Sequence, residues 1–347
     1  MPHQRGPLST ALIDLLENTD PARAAGLTEA LHTAAATAIR GTEDVLQDDD
    51  LQVALFTAYE LRYSGLAGVD DAWEWHPDLL RVCASIETCF EQALRNRAPL
   101  PPLPEPGGDT VAAALFALTA ADTGPSVSRY VAKKATDEQL HEFLIQRSVY
   151  QVKEADPHSW AIPRLRGRAK AALVEIQADE YGGGRLARMH SELFKRTLRG
   201  LGLDDTEGAY VDMVPAITLA SSNMMTLFGV HRRLRGAIAG HLAAFEMTSS
   251  LPNRLYGNGF RRLGYDAEVT HYFDEHVEAD AVHEQIAARD LAGGLTDDEP
   301  GLVADVVFGA SACLYVDGLA GERMLAAWTA GRSSLRVDEP VPAGVLS

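Results

Sequence analysis

Residues 271–284 read His-Tyr-Phe-Asp-Glu-His-Val-Glu-Ala-Asp-Ala-Val-His-Glu, so His276, Asp280 and His283 follow an H-x3-D-x2-H spacing. On a helix, at about 100° per residue, offsets of four and seven bring these side chains within roughly 60° of arc. Two imidazoles and a carboxylate on one stripe make a ligand set for iron or another borderline metal, where thiolates would indicate zinc or an iron–sulfur cluster. Three ligands do not complete an oxygen-activating centre, so the remainder must come from other segments.

A pair of metal ions inside a helical bundle takes about six carboxylate and imidazole ligands projecting inward from several helices. His190, in Arg188-Met-His-Ser-Glu-Leu-Phe194, lies on a separate amphipathic segment. Glu246 interrupts the apolar run from His241 to Leu251, where a charge is costly unless paired or metal-bound. Glu154, at the end of an earlier helix, completes six, or is simply a helix-terminal charge. Glu180 is a further candidate ten residues before His190. That offset does not share one face of an unbroken helix, but Gly182-Gly183-Gly184 lies between and can break or widen it. Glu175 and Asp179 are close enough to take its place. A rival set replaces Glu154 and His190 with Glu138 and His141, pairing Glu138-x2-His141 with Asp280-x2-His283 as ferritin-like bundles pair carboxylate-x2-His motifs. Asp137, Glu138, His141 and Glu142 read more simply as a solvated first turn.

The elements that must position these residues are helices. Apolar residues recur at helical spacing over Ser9–Asn18, Ala22–Arg40, Asp50–Ser64 and Pro77–Arg97, and few segments alternate with period two. Residues 98–109 hold five prolines, which remove backbone donors and stop a helix, so this stretch is a stiff connector. Helical spacing then resumes over Thr110–Thr119, Thr136–Glu154, Pro163–Glu180, Leu186–Gly200, Thr206–Asn223, Thr226–Met247, Asn253–Leu263, Ala267–Asp290 and Glu299–Gly331. Thr136 starts its helix as a hydroxyl cap before an acidic first turn. The expected architecture is all-α: an accessory helical region over 1–109, a larger bundle over 110–335 and a tail over 336–347.

The formal charge of −18 and pI near 5.0 argue against nucleic acid or an anionic membrane as the main partner, since both require a basic face. The short basic run His231-Arg-Arg-Leu-Arg reads as a solvated helix face. The N-terminus has no apolar signal-like stretch, and no run approaches 18 uncharged apolar residues, so a cytoplasmic location is expected. Cys83, Cys89 and Cys313 form no C-x2-C pair and read as small buried hydrophobes. The accessory region, with Trp73-Glu-Trp75, is expected to pack against the core or a second copy, and a homodimer is expected.

The ordered set Glu154, Glu180, His190, Glu246, His276, Asp280, His283 resembles that of the haem-oxygenase-like di-iron oxidases and oxygenases, the iron-containing redox enzymes. Tyr150-Gln-Val-Lys-Glu-Ala-Asp-Pro-His-Ser-Trp and Gln177-Ala-Asp-Glu-Tyr-Gly-Gly-Gly-Arg are similar to that family too, and the likeness covers roughly residues 110–335. It implies a haem-oxygenase-like bundle without haem. Glu154, His190, Glu246, His276, Asp280 and His283 would hold two iron ions that cycle between Fe(II) and Fe(III) with O2 as co-substrate. Glu180 would be the extra carboxylate of N-oxygenating members. The implied reaction is N-oxygenation of an amino acid or amine, with an external electron donor. Desaturation or C–C cleavage of an amino or fatty acid is the alternative. Arg185 or Arg188 would anchor a substrate carboxylate bidentately, or else be solvent-exposed helix charges. A metal-free helical binding or scaffold protein is the remaining reading, and relatives of that kind are expected to lack the full ligand set.

Overall fold

The computed structural model describes residues 1–121 and 126–336, with only the backbone described at 278, 280 and 281. Every regular element among the described residues is helical, as the spacing of apolar residues implies.

One compact unit comprises Met1–Arg97 with Val214–Met224. Its helices are Pro7–Leu16, Pro21–Gly41, Asp49–Glu60 and Pro77–Arg97. The Asp50 carboxylate accepts the backbone N–H groups of Leu8 and Ser9 at 2.8 and 2.7 Å. It thereby takes up orphan donors of the first helix and sets negative charge at its positive end. Leu12, Leu15, Leu55 and Phe90 fill the interior.

The second unit comprises Ala98–Met213 and the chain from Met225 onward. The proline segment is irregular until a helix starts at Gly108. Thr136 caps Asp137–Gln151 reciprocally with Gln139, as its position foretells. Helix Arg235–Met247 packs on Val303–Thr329 with backbones nearly touching. A Cβ at Gly240 would meet the Val306 carbonyl oxygen at 1.9 Å, and one at Gly309 would meet that of Ala237 at 1.9 Å. Only glycine permits that approach, and it fixes the helix that carries Glu246. The segment Pro300–Thr329, of mean hydropathy 1.6, is long and apolar enough to cross a membrane, yet 61% of its apolar window is buried inside the protein. It is the core helix. Ser250–Arg262 lies against Ala267–Gln285, where Phe260 and Phe273 stack with centroids 5.0 Å apart.

Several boundaries differ from the sequence reading. The helix expected over Thr206–Asn223 does not pass Pro215, whose missing donor and ring forbid it. A helix runs instead from Ala216 to Val230, because nothing in Asn223-Met-Met-Thr226 stops one, and the break falls at residues 231–234. The short helix Val127–Lys133, capped by Ser126, has no counterpart in that reading. The helix carrying His276 and His283 is α-helical to Gln285 and continues as a π-helical segment, Ile286–Gly293. Such widened turns gather at functional sites. Residues 337–347, most of the expected tail, lie outside the described residues.

Candidate metal centre

Glu154 follows the helix Asp137–Gln151 in a turn rather than ending it. The next residue, Ala155, has φ 78 and is the one non-glycine in the left-handed region among the described residues. Its N–H donates to the Tyr150 hydroxyl at 3.3 Å and its carbonyl accepts from Gln177 Nε2 at 2.7 Å. Gln177 also donates to Ser159 at 2.6 Å, and the Tyr181 hydroxyl donates to Asp156 at 2.7 Å. These bonds hold a strained turn that directs the buried Glu154 side chain inward.

Glu180 is the last residue of Gly167–Glu180, and His190 is the first of His190–Gly200. Gly182, Gly183 and Gly184 between them all have positive φ. A Cβ at Gly182 would lie 2.5 Å from the Arg188 carbonyl carbon, so the chain can fold back only over glycine. The reversal brings His190 Nδ1 to 2.9 Å from Glu180 Oε2. The His190 Nδ1 atom is buried and makes no hydrogen bond of good geometry.

Helix Ala267–Gln285 supplies His276 and His283. His276 Nδ1 lies 2.7 Å from the Tyr272 carbonyl one turn back, which assigns the proton to Nδ1 and leaves Nε2 facing Glu154 Oε1 at 3.6 Å. The Tyr272 hydroxyl donates to Glu154, 2.9 Å from each carboxylate oxygen. His283 Nδ1 faces Glu246 Oε2 at 3.5 Å and Glu180 Oε1 at 3.8 Å, while its Nε2 lies 3.1 Å from Asp179 Oδ2.

Two buried groups result. Glu154, Glu180, His190 and His276 each offer a donor atom within 4.8 Å of the others, and Glu180, Glu246 and His283 do the same. Donors about 2.0–2.2 Å from a small divalent cation lie at most about 4.4 Å apart, so shifts of a few tenths of an ångström would close either group on an ion. Burial would raise the pKa of Glu180, but the imidazoles of His190, His276 and His283 outweigh it and hold the carboxyl below its usual range. Burial lowers the pKa of His190, and the adjacent Glu180 carboxylate more than reverses this. Buried carboxylates of this kind require compensating positive charge, and the oxygen-and-imidazole donor set suits iron.

Of the residues singled out in the sequence, Glu154, Glu180, His190, Glu246, His276 and His283 are brought together. Asp280 lies on the same helix, and its side chain is outside those described. Glu138 and His141 belong to neither group: the His141 nitrogens lie against the Asp137 and Leu201 carbonyls at 2.9 and 3.2 Å. Glu175, Arg185 and Arg188 are exposed. Tyr272 was missed, although it sits one turn before His276 on the same stripe. Asp179 was weighed only as a substitute for Glu180.

Beside the two groups lies a cavity of about 10 Å3, room for about one water-sized molecule; its walls include Tyr150, Glu154, His158, Phe245, Glu246 and His276. His158 Nε2 lies 3.1 Å from His241 Nδ1. Burial pushes His158 down to about 4 and His241 well below its ordinary value, so this second imidazole pair is neutral. The sequence reading singles out neither, though His158 is only four residues beyond Glu154.

The sequence family described as iron-containing redox enzymes matches residues 141–318, just over half of the chain. Among curated proteins the chain is similar to the nitrosourea synthase of Streptomyces achromogenes subsp. streptozoticus, 27% identical over 170 residues. That match covers 48% of this chain and 36% of the synthase, so the chain spans little more than a third of the curated relative's length. With the all-α bundle, the buried carboxylate–imidazole groups and the family match all on one stretch of sequence, the chain belongs to the iron-containing redox enzymes, an oxidoreductase family of haem-oxygenase-like fold.

Proposed function

We propose that the region 110–335 is an O2-activating non-haem di-iron oxygenase that N-oxygenates an amino acid or a related amine. The observation that carries this reading is the position of Glu180, whose carboxylate belongs to both buried groups. A carboxylate so placed can bridge two cations, and one ion in each group would be held by the imidazole and carboxylate partners already facing it. Bound iron would supply the capacity to reduce and activate O2.

The protein's own residues do the rest. Tyr272 holds Glu154 and His276 in register. Phe245 and Leu242 line the cavity next to the carboxylates with apolar surface. The extra carboxylate, Glu180, and the likeness to a nitrosourea synthase favour nitrogen as the oxygenated atom. Inserting one oxygen atom of O2 into an N–H bond also consumes two electrons and two protons to form water, so an external reductant belongs to the reading.

The test is to load the chain anaerobically with ferrous ion, supply a reductant and O2, and screen amino acids and amines by mass. A product heavier by one oxygen on nitrogen supports the proposal. A product lighter by two hydrogens supports desaturation instead. Iron bound in both positions with no product from any amine would overturn N-oxygenation.

A further inference from the structure

We propose that Asp179 is a positioning residue for His283: it sets the tautomer and direction of that imidazole and so governs how tightly the Glu180–Glu246–His283 group holds a metal ion. This rests on the di-metal reading above.

The geometry is two-sided. His283 Nδ1 faces the interior carboxylates of Glu246 and Glu180, and the opposite nitrogen, Nε2, lies 3.1 Å from Asp179 Oδ2. A neutral imidazole carries one N–H. If Nε2 carries it, towards the Asp179 carboxylate 3.1 Å away, the Nδ1 lone pair is presented to the group that would hold the ion, and the ring becomes a stronger donor. His276 is fixed differently, by the backbone carbonyl of Tyr272, so a side-chain substitution can release only His283.

The placement of Asp179 also argues for a role. Asp179 and Glu180 are consecutive carboxylates in the last turn of Gly167–Glu180, the end of a helix that disfavours negative charge. Folding alone gives no reason for two acids there. The fold uses them on opposite sides of one imidazole: the Glu180 side chain is 9% exposed and that of Asp179 47%. Removing the largely exposed Asp179 carboxylate strands no buried charge and takes from the buried His283 only its outer acceptor, a loss that Asp179→Asn restores, so metal binding can be separated from folding.

Cobalt(II) titration of the full metal-free chain under anaerobic conditions, read by calorimetry and by the cobalt absorption bands, tests the proposal in wild type, Asp179→Ala and Asp179→Asn. In Asp179→Ala one of the bound equivalents should weaken about 10- to 100-fold, with the other equivalent unchanged and the metal-free chain still folded and melting cooperatively. Asp179→Asn should recover most of that loss, because the carboxamide oxygen still accepts from Nε2–H. Wild-type affinity and bands for both equivalents in Asp179→Ala would overturn the proposal alone. So would an Asp179→Asn variant as impaired as Asp179→Ala, or loss of both equivalents together with a lowered melting temperature. A wild-type chain that takes up no second equivalent would overturn the di-metal reading, and this inference with it.

Discussion

The Tyr272 hydroxyl lies 2.9 Å from each carboxylate oxygen of Glu154, across 118 residues of sequence. The same tyrosine's carbonyl accepts a hydrogen bond from Nδ1–H of His276. One residue thus ties together donors from two distant segments. Burial, and then the Glu154 charge, raise the phenol pKa well above its ordinary value, so it remains a donor at any physiological pH.

Tyr272→Phe keeps the ring and removes the donor. A hydrogen bond to a buried charged group contributes about 1.5–3 kcal/mol, so the metal-free variant should be less stable by about that amount in chemical denaturation. Loss of an outer partner should also weaken one metal equivalent about 10-fold or more, read by the same cobalt titration. Wild-type values in both measurements would show that the hydroxyl contact is incidental.

Glu180 is common to both groups, whereas His190 and Glu246 each belong to one. Glu180→Gln should therefore impair both metal equivalents, and His190→Ala or Glu246→Ala only one. Metal analysis after equilibrium dialysis distinguishes these patterns. Equal single losses in all three variants would contradict a shared carboxylate.

Ala155 holds φ 78 at the turn that directs Glu154. Glycine removes the Cβ penalty of about 1–2 kcal/mol in the left-handed region, partly offset by its greater unfolded-state freedom. Ala155→Gly should be as stable as wild type or up to about 1 kcal/mol more stable by denaturant melting. Ala155→Val, β-branched at positive φ in a buried site, should lose more than about 2 kcal/mol. A destabilised glycine variant would show that the turn is unstrained.

His158 is held neutral by burial, its pKa lowered from 6.5 to about 4. Between those values the unfolded chain binds a proton that the folded chain does not. This contribution is intact above 6.5 and is lost as pH falls towards 4, by up to about 3 kcal/mol from this one group. His158→Asn should flatten the decline in metal-free stability between these pH values, measured by denaturation at a series of pH values. An unchanged slope would contradict a neutral buried imidazole at 158.

How much of this was legible beforehand follows from the physics of each feature. The H-x3-D-x2-H stripe is a local periodicity; His276 falls in one buried group and His283 in the other, and the Asp280 side chain lies outside those described. Glu246 was visible because a lone charge in an apolar run calls for a partner. The convergence of Glu180 and His190 was only half visible: three glycines announced a break, but not that the chain doubles back through three left-handed residues. Tyr272 and Asp179 were hidden for a different reason. Each lies against a histidine or carboxylate of the two groups, and a tyrosine on a buried face or an acid on an exposed one is ordinary until that distance is known. The start at Ala216 is legible from Pro215, a helix breaker present in the sequence, whereas the break at residues 231–234 carries no comparable local signal.

Iron content per chain after anaerobic ferrous loading and removal of unbound metal is the most direct measurement of the central claim, that these buried carboxylates and imidazoles grip a pair of ions. The expected result is about two irons in the wild-type chain and almost none when His276 and His283 are both replaced by alanine with helicity retained. No iron uptake by the wild-type chain, or equal uptake by the double variant, would contradict it.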